Sequence, residues 1–307
     1  MKYLITGGAG FIGSNLADRL IGDGHEVAVI DNLSSGKREN LNPKAKFFKI
    51  DIRDKEIGKI FKAENFDAVF HFAAHIEARE SVNDPMGDAE INIIGSLNIL
   101  ENCRKFNIKK IIFASSGGEI YGDAGQIPTP ETYPPAPISP YGIGKLTVEK
   151  YLDSYSRLFK IPYLALRFGN VYGPRQNPYG EAGVIAIFAQ KMLSNGQPLI
   201  HGAGKQTKDY IYIEDALDAV MLCVQKFQDG FINIATGKET SVMDIFHKIK
   251  ALTGSRVVEE HVLFPACGFQ RGCLCIEKAQ RELDWHPRFY IDKGLEKTVE
   301  WMKKRPR

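Results

Sequence analysis

Cysteine and tryptophan are scarce in this 307-residue chain, with five of the first and two of the second. Five is an odd number, and most of the five fall where the pattern reads as buried. Cys103 and Cys223 fall in apolar helical patterns, while Cys267, Cys273 and Cys275 cluster near the end. Strand alternation would put Cys273 and Cys275 on one face, but a metal site calls for paired C-x-x-C spacings or added histidines. The cysteines read as free thiols in a reducing compartment, and no metal is expected. Charge of either sign is not in excess. Lys plus Arg number 40 against 37 for Asp plus Glu, a net charge of +3. The basic run Lys303-Lys304-Arg305 reads as a solvated end, so neither nucleic acid nor a membrane surface is an expected partner. No apolar run approaches the roughly 18 residues of a membrane span. Regular structure starts at residue 2, which leaves no room for a leader, so a soluble cytoplasmic protein is expected. No internal repeat or low-complexity segment is visible.

What the chain does have is 44% hydrophobic residues and a glycine-rich turn near its start. In KYLITGGAGFIG, residues 2–13, an apolar strand runs into Gly7, Gly8, Gly10 and Gly13. Phe11, Ile12, Leu16 and Leu20 then recur at helical spacing. A turn with so little side chain lets backbone N–H groups approach a phosphate, and the helix aims its positive end at that anion. The spacing G-x-x-G-x-x-G is one residue wider than the usual dinucleotide fingerprint. A second apolar run, HEVAVID, ends in Asp31, 18 residues after Gly13. A carboxylate at about that distance binds adenosine ribose hydroxyls and repels the 2′-phosphate of NADP, so NAD is the expected cofactor. Lys37 and Arg38 read as a solvated loop.

Strands then alternate with helices: strands near 46–50, 68–72, 110–114 and 163–168, helices near 54–62, 88–106 and 141–159. This rhythm predicts an α/β fold, a doubly wound parallel sheet. It breaks after Asn170. Helices follow near 184–193, 215–227 and 241–252, the last with Ser241 as N-cap, and two more near Glu277 and Asp292. The apolar run 231–235 suits the main sheet. The expected organisation is a Rossmann domain, residues 1–170 plus about 209–239. A smaller discontinuous substrate domain, about 171–208 plus 240–307, would close over the carboxyl ends of the strands, where ligands bind in such sheets.

Tyr141 and Lys145, in SPYGIGK, share one helix face. A tyrosine is a poor base at neutral pH, but an adjacent ammonium and a helix N-terminus both favour the phenolate. Ser116 stands at the end of the 110–114 strand, where its hydroxyl would meet a substrate hydroxyl. A Ser, Tyr and Lys beside a nicotinamide site form a hydride-transfer constellation.

The stretches TGGAGFIG, DNLSSG, HFAA, SSGGEIYG, SPYGIGK, LRFGNVYGPRQ, DYIYIEDA and LDWHP, taken together, resemble the extended short-chain dehydrogenase/reductases. Within them the likeness is closest to the UDP-glucose 4-epimerases, over nearly the whole chain. The resemblance implies NAD-dependent C4 epimerisation of a UDP-hexose through a transient 4-keto sugar. Ser116, Tyr141 and Lys145 would be catalytic. Gly7, Gly10, Phe11, Ile12 and Gly13 would form the phosphate turn, Asp31 would hold the ribose, Asn32 would also be cofactor-binding, and Asp51 and Ile52 would contact adenine. Phe72, Ala73 and Ala74 would line the cofactor channel, with Asn92 near the phosphates and Phe168 at the nicotinamide. Asn170 would contact the sugar nucleotide, and Val184 and the 201–205 stretch would border the uridine. A homodimer would pair helices 88–106 and 141–159, which carry surplus apolar residues such as Ile93, Leu97, Leu100, Leu146 and Leu152.

Three features depart from the epimerase pattern. Lys208 stands where many relatives have a diphosphate arginine, and lysine lacks the bidentate fork. Ala266 falls at a second arginine position, with Arg271 nearby as a substitute. Glu119 occupies the place of an acid/base glutamate in sugar-nucleotide decarboxylases and dehydratases, which keeps that reaction as an alternative; the other reading of Glu119 is a loop carboxylate facing water. A non-catalytic NAD-binding regulator is a remoter alternative, opposed by the Tyr141/Lys145 pair. At the position that gates the sugar's C2 substituent the chain has Gly272 or Cys273, both small, so N-acetylated UDP-hexosamines are expected substrates as well.

Overall fold

A continuous apolar run such as Tyr3-Leu4-Ile5 has no polar face, so it is stable only between two layers. In the computed structural model it lies at the centre of a sheet. The structure describes residues 1–180, 183–226, 229–265 and 268–304. Ala266, Cys267, Phe227 and Arg305 therefore lie outside the described residues.

The elements of the first half are β1 (Lys2–Thr6), α1 (Phe11–Gly22), β2 (Glu26–Asp31), β3 (Lys46–Lys49), α2 (Ile57–Glu64), β4 (Ala68–His71), α3 (Ala78–Asn83), α4 (Pro85–Ala89), α5 (Ser96–Lys105), β5 (Ile111–Ser116), α6 (Gly117–Tyr121), α7 (Pro140–Phe159) and β6 (Tyr163–Phe168). The second half adds β7 (Asn170–Tyr172), α8 (Val184–Leu193), β8 (Ile200–His201), β9 (Thr207–Lys208), β10 (Tyr210–Tyr212), α9 (Ile213–Gln225), β11 (Gly230–Ile234), β12 (Thr240–Ser241), α10 (Val242–Thr253), β13 (His261–Val262), α11 (Glu277–Leu283) and α12 (Ile291–Lys303).

Seven strands form one parallel sheet in the order β11-β6-β5-β4-β1-β2-β3. The chain reverses direction across the sheet at β1, between β2 and β4, and such a switch point opens a crevice at the carboxyl ends. Leu4, Ala28, Ile30 and Val69 fill the core of one face, while Tyr3, Ile5, Val29 and Phe70 fill the other. The second core continues without a break into the packing of α8, α10 and α12.

The helix expected from Asp54 begins at Ile57, because the Asp54 carboxylate accepts the Glu56 N–H at 2.8 Å and holds a turn there. The expected 88–106 helix is three segments: Pro85–Ala89, a π-helical turn over Glu90–Gly95, and Ser96–Lys105. The sequence pattern does not predict the two short helices α3 and α6, so Glu119 sits on a helix rather than a loop. Ser241 caps α10 as expected, in a reciprocal capping box with Asp244. The Cys273–Cys275 segment is not a strand. It makes one bridge, Leu274 to Thr129, with Cys273 buried 3.6 Å from the Asp209 carboxylate and Cys275 half-buried. Among the described residues no group of three His, Cys, Asp or Glu side chains could hold a metal, and no helix is long and apolar enough to cross a membrane.

Candidate active site

One cavity of about 550 Å³ lies along the carboxyl edge of the sheet. Its floor is the turn between β1 and α1. Gly7 takes a left-handed φ of 72°, and a Cβ there would stand 2.7 Å from the Ala73 backbone nitrogen. A Cβ on Gly13 would stand 2.3 Å from the Gly7 carbonyl oxygen. Both positions need glycine for the backbone to fold this tightly. Asp31, at the end of β2, accepts the N–H groups of Ala9 at 2.9 Å and Leu33 at 2.8 Å. Burial pushes its carboxyl up, and those two N–H bonds pull it back. Asp51 is held well below the usual carboxylate range, first by the two-pronged Arg53 guanidinium, with bonds of 2.8 and 2.9 Å. Asn32 donates to the same carboxylate at 2.8 Å.

The wall after β4 is set by a buried histidine. His71 bonds Thr6 at 2.7 Å and Ser96 at 2.8 Å. Ser96 spends its own proton on the Asn92 carbonyl, so His71 Nε2 donates and Nδ1 accepts the Thr6 proton. Burial, and then Lys145, pushes this ring down to about 3, which keeps it neutral. The Thr6 hydroxyl in turn accepts the Phe72 and Ala73 N–H groups at 3.2 Å.

Helix α7 delivers Tyr141 and Lys145. Ser139 caps it, accepting the Gly142 N–H at 3.1 Å, with Pro140 at the first helical position. The Ser139 hydroxyl donates to Glu119 at 2.7 Å, so the N-cap also fixes the carboxylate of α6. Lys145 Nζ donates to the Ala114 carbonyl at 2.8 Å and lies 5.6 Å from the Tyr141 ring centroid. Burial lowers Lys145 to about 8, against the pull of Asp88 and Glu149. Tyr141 departs from the sequence expectation. Burial first, then the charges of Glu119 and Asp88, hold its phenol well above the ordinary value. In the chain alone, desolvation outweighs the ammonium and the helix terminus.

Gly7, Gly10, Phe11, Ile12, Gly13, Asp31, Asn32, Asp51, Ile52, Phe72, Ala73, Ala74, Ser116, Tyr141, Lys145, Phe168, Asn170 and Val184 all line this cavity. Asn92, Arg271, Lys208 and the 201–205 stretch do not, and His201 and Gly202 line a separate surface pocket. Asn92 is buried behind the wall, bonded to the His75 backbone and to Asp88. Arg271 is turned to the surface in a two-pronged pair with Glu239. Lys208 is covered by Phe269, whose carbonyl accepts its Nζ at 3.2 Å, and burial pushes it down to about 7. In this structure the Phe269 ring also occupies the space beside Gly118 and Gly272, where an added Cβ would stand 2.6 and 2.5 Å from it. Glu119 faces the cavity and not bulk water, with burial raising its pKa against Ser139 and Lys208.

Among the described residues, three buried side-chain atoms have no hydrogen-bond partner: Arg175 Nη1, Gln176 Oε1 and the Tyr210 hydroxyl. All three residues line the cavity, and sequence reasoning passed over them. Their motifs, GPRQ and DYIYIED, were the available signal. Unpaired buried polar groups are costly, so their concentration here is the signature of a polar ligand. Together with the glycine cradle and Asp31, they fit a dinucleotide.

The model of the NAD dependent epimerase/dehydratase family matches residues 3–235. The chain belongs to this family. It is similar to the UDP-glucose 4-epimerase of Thermotoga maritima, solved with UDP-glucose, at 44% identity over 99% of each chain with a TM-score of 0.97. It is similar to the UDP-glucose 4-epimerase of Thermus thermophilus, solved with NAD, at 37% identity over 99% of each chain with a TM-score of 0.95. The UDP-glucose 4-epimerase of Mycolicibacterium smegmatis is 38% identical over 99% of both proteins. The cofactor of this epimerase-family enzyme is NAD.

Proposed function

We propose that the chain interconverts the C4 epimers of a UDP-hexose, UDP-glucose and UDP-galactose first, with NAD as resident cofactor. The observation that carries this reading is the meeting of Ser116, Tyr141 and Lys145 on one wall of the glycine-cradled cavity. NAD, when bound, supplies a reversible hydride acceptor and, in its oxidised form, a positive charge that favours phenolate. Tyr141 takes the proton from the C4 hydroxyl and returns it, and Lys145 holds the phenolate by its charge. Ser116 hydrogen-bonds the same hydroxyl. Asn170 and Val184 border the sugar nucleotide. Lys208 reaches the diphosphate once Phe269 moves aside, whereas Arg271 stays with Glu239.

Residues 1–170 with about 209–239 form the NAD domain in this reading, and 171–208 with 240–307 the substrate domain. A homodimer is part of the proposal. Leu100 and Leu152, read from sequence as surplus, are core residues, but Met86, Ile94, Ile143, Tyr151 and Leu158 on α4, the π turn and α7 are exposed. A second copy would cover that apolar set. A cytoplasmic location follows from the reducing environment that the free thiols favour.

Glu119 supports a second reading, decarboxylation of a UDP-uronate, because Ser139 holds its carboxylate inside the cavity. Product analysis on UDP-glucose, UDP-N-acetylglucosamine and UDP-glucuronate separates the two. The epimerase reading expects a C4 epimer of UDP-glucose with no net NADH. Turnover of UDP-N-acetylglucosamine would extend the substrate range past the Phe269 ring. Carbon dioxide and a UDP-pentose from UDP-glucuronate, with UDP-glucose inert, would establish the second reading instead.

A further inference from the structure

The loop that follows β7 is fastened to the helix of the phosphate turn. Asn15 and Asp18 stand three apart on α1 and so face the same side of it. The Asn15 amide donates to the carbonyl of Phe11, the first residue of the helix, at 2.8 Å, and to the carbonyl of Pro174 at 3.2 Å. The Asp18 carboxylate pairs with Arg175 Nη2 at 2.6 Å, and its other oxygen accepts the Asn42 amide at 2.7 Å. The loop reaches this position through two residues of positive φ, Gly173 at 145° and Arg175 at 73°. Arginine has a Cβ that disfavours such a conformation, so its surroundings hold the backbone there.

The result is an arginine held against α1 with one side of its fork occupied. Nη2 belongs to Asp18, whereas Nη1 is buried without a partner, and the residue lines the cavity. A guanidinium carries N–H donors and no acceptor, so the Nη1 hydrogens are satisfied only when a ligand brings an acceptor to them. Charge selects which part of the ligand that is. Among the described residues, the lysines and arginines that line the cavity are Lys37, Lys145 and Arg175. Lys145 is committed to the Ala114 carbonyl beside Tyr141, and Lys37 lies over the exposed Tyr179 ring, 5.8 Å from its centroid. Arg175 is the one of the three whose side chain is pinned to α1 itself, the helix whose start forms the phosphate turn. That turn offers a diphosphate backbone N–H groups and a partial positive charge, which leaves most of the diphosphate's negative charge unmatched.

We propose that Arg175 binds the diphosphate of NAD through Nη1, and that Asp18 is the positioning residue that aims it. The loop leads from β7 toward α8, so the contact grips NAD from the side opposite the glycine turn. The inference rests on the NAD site and not on which sugar turns over, so failure of the epimerase reading leaves it standing.

A UDP-sugar also carries a diphosphate, and the test separates the two. Labelled NAD on the purified enzyme is displaced by unlabelled NAD and, separately, by adenosine, which has the base and ribose but no phosphate. UDP binding is measured calorimetrically on the NAD-saturated enzyme. Loss of a charge-assisted hydrogen bond predicts that Arg175→Gln weakens NAD about 10- to 100-fold, with adenosine and UDP binding unchanged. Arg175→Lys keeps the charge without the fork and loses less. Asp18→Asn leaves the arginine in place but frees it, and weakens NAD by less than Arg175→Gln, again with adenosine unchanged. If Arg175→Gln does not fold, Arg175→Lys and Asp18→Asn carry the same comparison. Unchanged NAD binding in the folded variants, or NAD and adenosine weakened alike, would overturn the proposal, the second result marking a purely structural loop. UDP weakened as much as NAD would overturn it too, and would give the arginine to the substrate's diphosphate. The expected NAD losses in an enzyme inactive on every UDP-sugar would sink the epimerase reading alone.

Discussion

Among the described residues Arg167 is the largest fully buried side chain, and its removal gives a calculable result. Its guanidinium donates to both oxygens of Glu149 at 2.9 and 2.6 Å and to the Tyr121 hydroxyl at 2.7 Å, and lies 3.8 Å from the Phe231 ring centroid. Glu149 also accepts the Ser115 hydroxyl at 2.7 Å, which ties the network to the strand end that carries Ser116. Arg167→Met leaves Glu149 buried with that hydroxyl alone. Breaking a buried pair from one side costs about 3–5 kcal/mol. Over 307 residues, at about 2.1 cal/mol/K of unfolding entropy per residue, Tm should fall by about 5–8 °C. Adding Glu149→Leu removes the stranded charge, and the double variant should regain about 2 kcal/mol. The pH dependence has a definite sign. A stranded buried carboxylate takes up a proton in the folded state, so the folded form binds more protons than the unfolded one. The deficit of the single variant should therefore shrink as pH is lowered toward about 5. Calorimetry of the wild type, Arg167→Met and the double variant at fixed NAD checks this. A single variant losing under about 1 kcal/mol, or a double variant no more stable than Arg167→Met, would refute the argument.

Other consequences follow from the site. Lys208, lowered to about 7 against an ordinary 10.5, is charged at a cost below pH 7, and the cost fades as pH rises toward 10.5. Lys208→Met should thus be more stable than wild type at about pH 6, with the advantage lost by about pH 10, as read by denaturant titration across that range. Tyr141→Phe should lower kcat about 10²–10⁴-fold while the purified protein retains its NAD. Gly13→Ala places a methyl against two backbone atoms of the turn, at 2.3 and 2.9 Å. It should weaken NAD retention about tenfold or more, measured by equilibrium dialysis.

The dinucleotide end of the site was legible because it is local. Gly7 to Gly13, Asp31, and the i, i+4 pair Tyr141 and Lys145 each belong to one strand end or one helix turn, where period and spacing decide the geometry. The sheet was legible for the same reason, down to the 231–235 run joining it as β11. The substrate end was not. Whether Arg271 faces a diphosphate or Glu239 depends on residues 32 positions apart in the chain. The covering of Lys208 by Phe269 depends on residues 61 apart. Local pattern carries no information about either choice. Tyr141 shows a different limit. The sequence displays the ammonium and the helix terminus beside it, but the burial that outweighs both exists only once α6, α7 and the loop after β4 have closed around the ring. Asn92, expected near the phosphates, lies in the π turn behind the wall, where its amide bonds the His75 backbone and Asp88.

The central claim, epimerisation at C4 through a transient ketone, is tested most directly with UDP-glucose deuterated at C4 and enzyme carrying only its resident NAD. The account predicts UDP-galactose with the deuterium still on C4 and no label in solvent. UDP-galactose formed with the label washed out would contradict hydride transfer at that carbon. Label retained in unchanged UDP-glucose, with no epimer formed at any pH between about 6 and 9, would contradict the epimerase assignment itself.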